Sequence, residues 1–238
     1  MSRLDNFVFL HGLGLSNTIW KPILPYVKGN FVCPDFLGHG NSPNGIYSFE
    51  SLWKFLREDL ITLDWSSTTL IMHSMSSALL PEILKSKVRP KSIFLIEGNL
   101  IEEDSLWSQQ ICQKSTDEFK SWILKLRANS DLILKMQLKN IHKKNDIATW
   151  SSGFKQVKEE ALIQIAKQLV SRSKSQEIVS ALIEIGSPTI YLRGSESNPW
   201  AQGEYMLKNI GVPVIKIPNA GHFPMLDNPY ATWESIST

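Results

Sequence analysis

Along the first hundred residues of this chain of 238, short apolar and β-branched runs ending in glycine- or serine-containing turns alternate with stretches of helical spacing. Phe7-Val8-Phe9-Leu10 runs into His11-Gly12-Leu13-Gly14, Phe31-Val32-Cys33 into a loop from Pro34 to Ser42, and Thr69-Leu70-Ile71-Met72 into His73-Ser74. Each reads as a buried strand feeding a tight turn. Between them, Ile19, Trp20, Ile23, Leu24 and Val27 space as one helix face, and Phe49 to Leu63 supplies a second helix candidate. After Ser74 the positions Ala78, Leu79, Ile83 and Leu84 give a third, with Pro81 inside it as an expected kink. A further strand, Ser92 to Ile96, ends at Glu97-Gly98-Asn99.

From about Leu100 to Gly186 strand patterning stops and only helical spacing remains. Ser115-Thr116-Asp117-Glu118 has the spacing of a capping box, followed by an apolar face at Trp122, Ile123 and Leu126; Ala161, Leu162, Ile165 and Leu169 form another face. Strands then resume at Pro188 to Leu192 and Val212 to Ile217. Strands alternating with helices predict an α/β architecture, a mostly parallel sheet of about six strands flanked by helices. Connections within such sheets are usually short, so the long helical block is expected to be an inserted helical cap over the strand ends. The expected organisation is a core of residues 1–99 and 187–238 with a cap of residues 100–186.

Composition narrows the class. Hydrophobic residues make up 42% and charged residues 20%, which excludes a disordered or fibrous chain. Net charge is +2 with both signs interspersed, so no dedicated nucleic-acid surface is expected. The closest approach to a basic run, His142-Lys143-Lys144, reads as a solvated helix end. The two cysteines, Cys33 and Cys112, lack metal-ligand spacing and fit a reducing compartment. A charged-then-apolar leader is missing, and no apolar stretch is long enough to span a bilayer, so a cytoplasmic protein without a membrane span is expected. Oligomeric state is not legible.

The chemistry centres on Ser74. A serine hydroxyl is a poor nucleophile unless it stands beside a base and near donors that stabilise the oxyanion, and a sharp strand-to-helix turn supplies that exposure. The Thr69–Ser77 stretch, TLIMHSMSS, resembles the nucleophile elbow G-x-S-x-G of the α/β-hydrolase family, with Ser74 as the implied nucleophile. Small residues are usual two positions to either side; Ser76 complies and Met72 departs. His11-Gly12-Leu13-Gly14 resembles the HG-x-G oxyanion loop, which implies the backbone N–H groups of Leu13 and Met75 as oxyanion donors. Pro34 to Ser42 resembles the PD-x-x-GHG-x-S turn and is read as structural. Asn219-Ala220-Gly221-His222-Phe223-Pro224, with Asn228-Pro229 beyond, resembles the AGH-x-P-x-x-E-x-P histidine loop, implying His222 as the base. Of the other histidines, His11 and His39 belong to turns, His142 to a polar cap helix, and His73 is expected to point away from the serine hydroxyl. The family fold often begins with two strands that this chain, whose first strand starts within about six residues of Met1, is expected to lack. Short members of that kind include plant hydroxynitrile lyases and methylesterases.

The base needs an acid to fix its tautomer and stabilise the imidazolium. The family's usual Asp position, in Gly194-Ser195-Glu196-Ser197, holds Ser197 here. Glu196, one residue early, and Glu97, at the end of the strand after the elbow helix where some haloalkane dehalogenases keep their acid, are the candidates. Glu97 is preferred because it reaches the histidine without a change in the turn. The resemblance implies a serine hydrolase cleaving a carboxylic ester or thioester through Ser74, His222 and Glu97, with no metal or organic cofactor. The substrate would be a small molecule with a hydrophobic acyl or aryl part, given Trp107, Trp122, Trp150 and Phe154 in the cap. A lyase or C–C bond enzyme on the same triad, and a non-catalytic small-ligand receptor, are the alternatives, since one scaffold hosts many chemistries.

Overall fold

Parallel strand pairing organises the computed structural model, which describes residues 5–198 and 200–237. Six strands, β1 (Asn6–Leu10), β2 (Asn30–Val32), β3 (Thr68–His73), β4 (Ser92–Ile96), β5 (Thr189–Gly194) and β6 (Val214–Ile217), form one sheet in the order β2-β1-β3-β4-β5-β6. Every neighbouring pair is parallel. All six residues of β3 are buried, as a parallel sheet covered on both faces requires, and this is why the strand reads as an apolar run rather than an alternation.

The helices are α1 (Phe49–Leu60), α2 (Leu80–Lys85), α3 (Leu106–Cys112), α4 (Thr116–Ala128), α5 (Ser130–Gln137), α6 (Lys144–Trp150), α7 (Ser152–Gln156), α8 (Glu159–Lys174), α9 (Glu177–Ile185), α10 (Ala201–Asn209), α11 (Pro224–Asp227) and α12 (Pro229–Ser237). Helix α1 starts where Ser48 accepts a hydrogen bond from the Ser51 N–H, and it buries Phe49, Leu52, Trp53, Leu56 and Leu60 on one face. The capping box of α4 forms in both directions: Ser115 N–H donates to Glu118 at 2.8 Å and Glu118 N–H to the Ser115 hydroxyl at 3.4 Å.

Two elements differ from the pattern-based expectation. The face from Ile19 to Val27 is not one helix but two 3₁₀ turns, Asn17–Trp20 and Leu24–Tyr26. Pro22 and Pro25 each lack the backbone N–H that a continuous α-helix would use, so only short 3₁₀ turns form. After Ser74 the chain forms a 3₁₀ segment, Ser74–Leu79, before α2 begins. Pro81 therefore sits in the first turn of α2, where its missing N–H has no intrahelical partner to lose, and it starts a helix rather than kinking one.

Between β4 and β5 lie one 3₁₀ turn and the seven helices α3 to α9, with no strand. Helix α8 is stitched to the sheet-bearing part of the chain by polar bonds. Gln168 donates to Tyr47 O at 2.9 Å and accepts from Phe49 N–H at 3.2 Å; Arg172 donates to Ala78 O at 2.7 Å and to Glu82 Oε1 at 2.5 Å. Both partners of the Arg172–Glu82 pair are largely buried, with side chains 14% and 6% exposed. Burial pushes the Glu82 carboxyl up, but Arg172 and Lys85 outweigh it and hold it below its usual value.

A testable consequence follows for Arg172→Met, which keeps the packed stem and removes the charge, leaving the exposed Lys85 as the one cation paired with Glu82 among the described residues. Stripping one partner from such a pair costs about 3 kcal/mol, to be read as a lowered urea midpoint at neutral pH. Because the folded Glu82 titrates below its unfolded value of 4.5, its contribution is complete above that pH and is lost as pH falls through the folded value. The gap between wild type and variant should therefore narrow below about pH 4.5.

Candidate active site

The sheet register places the site. His73 pairs with Ile96 across β3 and β4, and Ile96 with Leu192 across β4 and β5, while Leu10 pairs with Met72 across β1 and β3. Ser74, Glu97 and Arg193 each stand one residue past those pairs, and Gly12 two past Leu10, so all four reach the carboxyl edge of the sheet at one level. In open α/β sheets this edge is where ligands bind.

Ser74 adopts φ +54°, and Glu97 φ +48°, a left-handed backbone that turns each chain sharply off its strand. Non-glycine residues hold this conformation at a cost of order 1 kcal/mol or more, which surrounding structure must offset. Here the Ser76 hydroxyl donates to Leu10 O (3.1 Å) or His73 O (2.9 Å), and the Ser77 hydroxyl to Ser74 O or Asn99 O, both at 2.9 Å. The His11–Gly14 turn comes very close: a Cβ at Gly12 would lie 3.0 Å from His73 Nδ1 and 3.1 Å from Ser74 Cβ, which explains the glycine. Met72 is wholly buried between Leu10 and Leu95 in the sheet. Among the described residues the Ser74 hydroxyl makes one hydrogen bond, donated to Asn99 Oδ1 at 3.2 Å, and Asn99 is itself held by its amide to Asp104 O at 2.5 Å. Asn99 enters the sequence only as the end of a strand signal, so this contact was not legible there.

Glu97 is buried (8% exposed), with one carboxylate oxygen accepting from Gly194 N–H at 2.8 Å and from the Ser197 hydroxyl at 2.6 Å. Its other oxygen lies 3.6 Å from His222 Nδ1, an ion-pair separation just outside ordinary hydrogen-bond reach. Burial pushes the carboxyl up, but His222, Ser197 and Gly194 together hold it below its usual value. Ser197, at the position where the resemblance leads one to expect an aspartate, thus bonds a carboxylate that comes from another strand. Glu196 is exposed on the turn after β5, its N–H donating to Ala220 O at 2.9 Å, and no carboxylate other than Glu97 lies within ion-pair distance of His222 among the described residues.

The remaining histidines are structural in their contacts. His73 is fully buried and turned toward the back of the histidine loop, its Nε2 3.0 Å from His222 O and its ring packed on Phe223 and His222. Burial, then the neighbouring His222, drives its pKa well below the ordinary value. His11 is pushed down to about 4 and His39 to about 3, both chiefly by burial, so they are neutral at physiological pH. Nε2 of His11 accepts from Phe36 N–H at 3.3 Å, which leaves Nδ1 to donate to Gly12 O at 2.8 Å. Asp35 braces the Pro34–Ser42 loop by accepting from Asn17 N–H at 2.7 Å and Asn41 N–H at 3.2 Å. At Gly40, φ is +50° and a Cβ would collide with the Asp35 carboxylate at 2.2 Å.

His142 does not lie on a helix. It sits in the loop between α5 and α6, half-buried against Trp150 with Nε2 3.5 Å from Asp227. Asp227 also accepts from Lys139 N–H at 2.8 Å and from Gly221 N–H at 3.0 Å. It ties this loop to the residue before His222, and that packing is what draws His142 away from solvent.

Ser74, Glu97 and His222 open onto a cavity of about 480 Å³, lined on its apolar side by residues including Leu13, Leu15, Leu106, Trp107, Ile133 and Phe154. The volume suits a small organic molecule. Of the four cap aromatics picked out in the sequence, Trp107 and Phe154 line it; Trp122 packs behind Trp107 at 5.7 Å and Trp150 against His142 at 5.1 Å. Among the described residues no cluster of His, Cys, Asp and Glu is grouped to hold a metal ion, and no helix is long and apolar enough to cross a membrane.

A parallel sheet with a positive-φ serine at its carboxyl edge and a histidine loop after the last strand defines an α/β-hydrolase. The profile of the Alpha/beta hydrolase family matches residues 7–234, and the chain belongs to that family. Among solved structures it is similar to an esterase from Exiguobacterium antarcticum, at 17% identity over 100% of this chain and 92% of that one, TM-score 0.75. A loop variant of a haloalkane dehalogenase from Bradyrhizobium elkanii matches at 20% identity over 100% and 89%, TM-score 0.76. The thioesterase domain from the curacin biosynthetic pathway matches at 17% identity over 99% and 91%, TM-score 0.71. Likeness at these identities establishes the fold and leaves the substrate open.

The Glu97 environment yields a direct check. Ser197→Ala removes a hydrogen bond to the charged carboxylate, so the Glu97 pKa should rise toward its ordinary value. A carboxyl-carbon NMR titration of labelled Glu97 should show the midpoint moving to higher pH; an unchanged midpoint would mean that the 2.6 Å contact contributes nothing in solution.

Proposed function

We propose that the protein is a serine hydrolase that cleaves a carboxylic ester or thioester by way of an acyl-enzyme. The observation that carries this reading is the ring of His222 beside the buried Glu97 carboxylate, lining one cavity with a serine presented on a strained turn. Ser74 turns from Asn99 toward the histidine and attacks the carbonyl carbon; His222 takes the hydroxyl proton and returns it to the leaving alcohol or thiol. Glu97 keeps the Nδ1–H tautomer and stabilises the imidazolium. Leu13 and Met75 supply backbone N–H groups to the oxyanion, Met75 from the first turn of a helical segment whose opening N–H groups lack intrahelical partners. Water repeats the sequence on the acyl-enzyme. Residues 100–186 act as a helical cap over residues 1–99 and 187–238, and the apolar lining from Trp107 and Phe154 favours a hydrophobic acyl or aryl group.

A panel of p-nitrophenyl esters and acyl-thioesters of increasing chain length, run beside a serine-directed fluorophosphonate probe, tests the reading. Ser74→Ala should stay folded, lose probe labelling and lose turnover by several orders of magnitude, because the triad acts as a unit. Near-normal turnover by folded Ser74→Ala would refute it.

The acid is tested separately. Glu97→Gln should lower kcat on the order of 10³-fold, since an amide cannot stabilise the imidazolium, whereas Glu196→Gln should have a far smaller effect. The reverse ranking would transfer the role to Glu196.

A further inference from the structure

Arg193 is a buried cation for which the reaction above has no use. The residue is 6% exposed and lines the cavity. Tyr191 and Arg193 lie two apart on β5 and share a face; Trp200 covers both, stacked on Tyr191 at 4.8 Å with the Arg193 guanidinium 5.0 Å from its ring centre. One guanidinium nitrogen donates to Asn198 O. Among the described residues no carboxylate stands within ion-pair distance of it.

Burying a charge without a counter-ion is expensive, and a cation–π contact with one carbonyl bond offsets only part of that cost. A guanidinium carries five N–H donors in a planar fork that matches a carboxylate bidentately. The acids that share the cavity are engaged or remote: Glu97 serves His222, Ser197 and Gly194, Asp104 accepts from the N–H groups of Leu100 and Ile101, and Glu103 and Glu196 are exposed at the rim. Burial also pushes Asp104 up to about 6, which weakens it as a counter-charge. The other cation of the lining, Lys139, is exposed.

We propose that Arg193 forms a carboxylate-binding subsite and that the substrate ester bears a second, free carboxylate a few bonds from the scissile carbonyl. This rests on the reading of Ser74 as the nucleophile. The separation follows from the sheet: β3 and β5 are two strand spacings apart, about 10 Å between backbones, and both side chains reach into one cavity.

Matched esters test it. For a carboxylate on the acyl side, p-nitrophenyl hydrogen adipate is compared with p-nitrophenyl hexanoate; for one on the alcohol side, p-carboxyphenyl hexanoate is compared with phenyl hexanoate. In one of the two pairs the wild type should favour the charged ester about tenfold or more in kcat/KM, and Arg193→Met should bring that ratio close to one, with Arg193→Lys in between. A wild-type ratio at or below one in both pairs, or a ratio that survives in Arg193→Met, would overturn the subsite. If Arg193→Met does not fold, Arg193→Lys carries the comparison, and an unchanged ratio there overturns the bidentate match. If no ester is cleaved, the hydrolase reading fails on its own, and calorimetry of adipate against adipamide decides the subsite. Adipate binding that the Arg193 variant weakens supports it, and equal or absent binding of the two overturns it.

Discussion

The alignment of parallel strands at their carboxyl ends is the constraint on which the site depends. Parallel pairing with the observed register brings the ends of β1, β3, β4 and β5 to one level. Gly12, Ser74, Glu97 and Arg193, separated by up to 181 positions in the chain, then form a row across four strands. A slip of one residue in β4 would reverse which face each of its side chains takes and remove Glu97 from the row. The apolar burial that fixes the register thereby fixes the spacing of the chemistry.

Polar groups at the same edge are kept in order by burial. His11, His39 and His73 are all held neutral, so the solvent-facing His222 is left as the histidine beside a carboxylate at the cavity. Glu97 is held charged despite burial because two hydrogen-bond donors and the neighbouring His222 ring converge on it. Neutral imidazoles thus lie behind the site, and a carboxylate held charged lies beside His222.

The helical block from α3 to α9 is tied to the strands by directional bonds in addition to apolar packing. Arg172 and Gln168 fasten α8 to α2 and to the approach to α1. Asp227 fastens the loop after α5 to the residues flanking His222. The second attachment means that the loop after α5 and the histidine loop share one carboxylate, so their positions are not independent.

The sequence by itself determined the elements whose signal is local. Apolar runs stopping at HG, GHG and HS turns gave the strands, and Ser115 with Glu118 gave a helix start, because a turn or cap is written in a few neighbouring residues. The turns that carry Ser74 and His222 were legible for the same reason. Prolines at 22 and 25 were equally local, yet the hydrophobic spacing masked them and a helix was expected where two 3₁₀ turns stand. Tertiary structure alone decided the contacts between strands distant in sequence. That Glu97 reaches His222, that Ser197 and Asn99 hold the acid and the serine, and that Arg193 lacks a carboxylate partner among the described residues depend on register and on side chains brought together from opposite ends of the chain. The placement of His142 belongs here too: its polar neighbours in sequence point to solvent, and only Asp227 and Trp150, far away along the chain or one helix on, turn it inward.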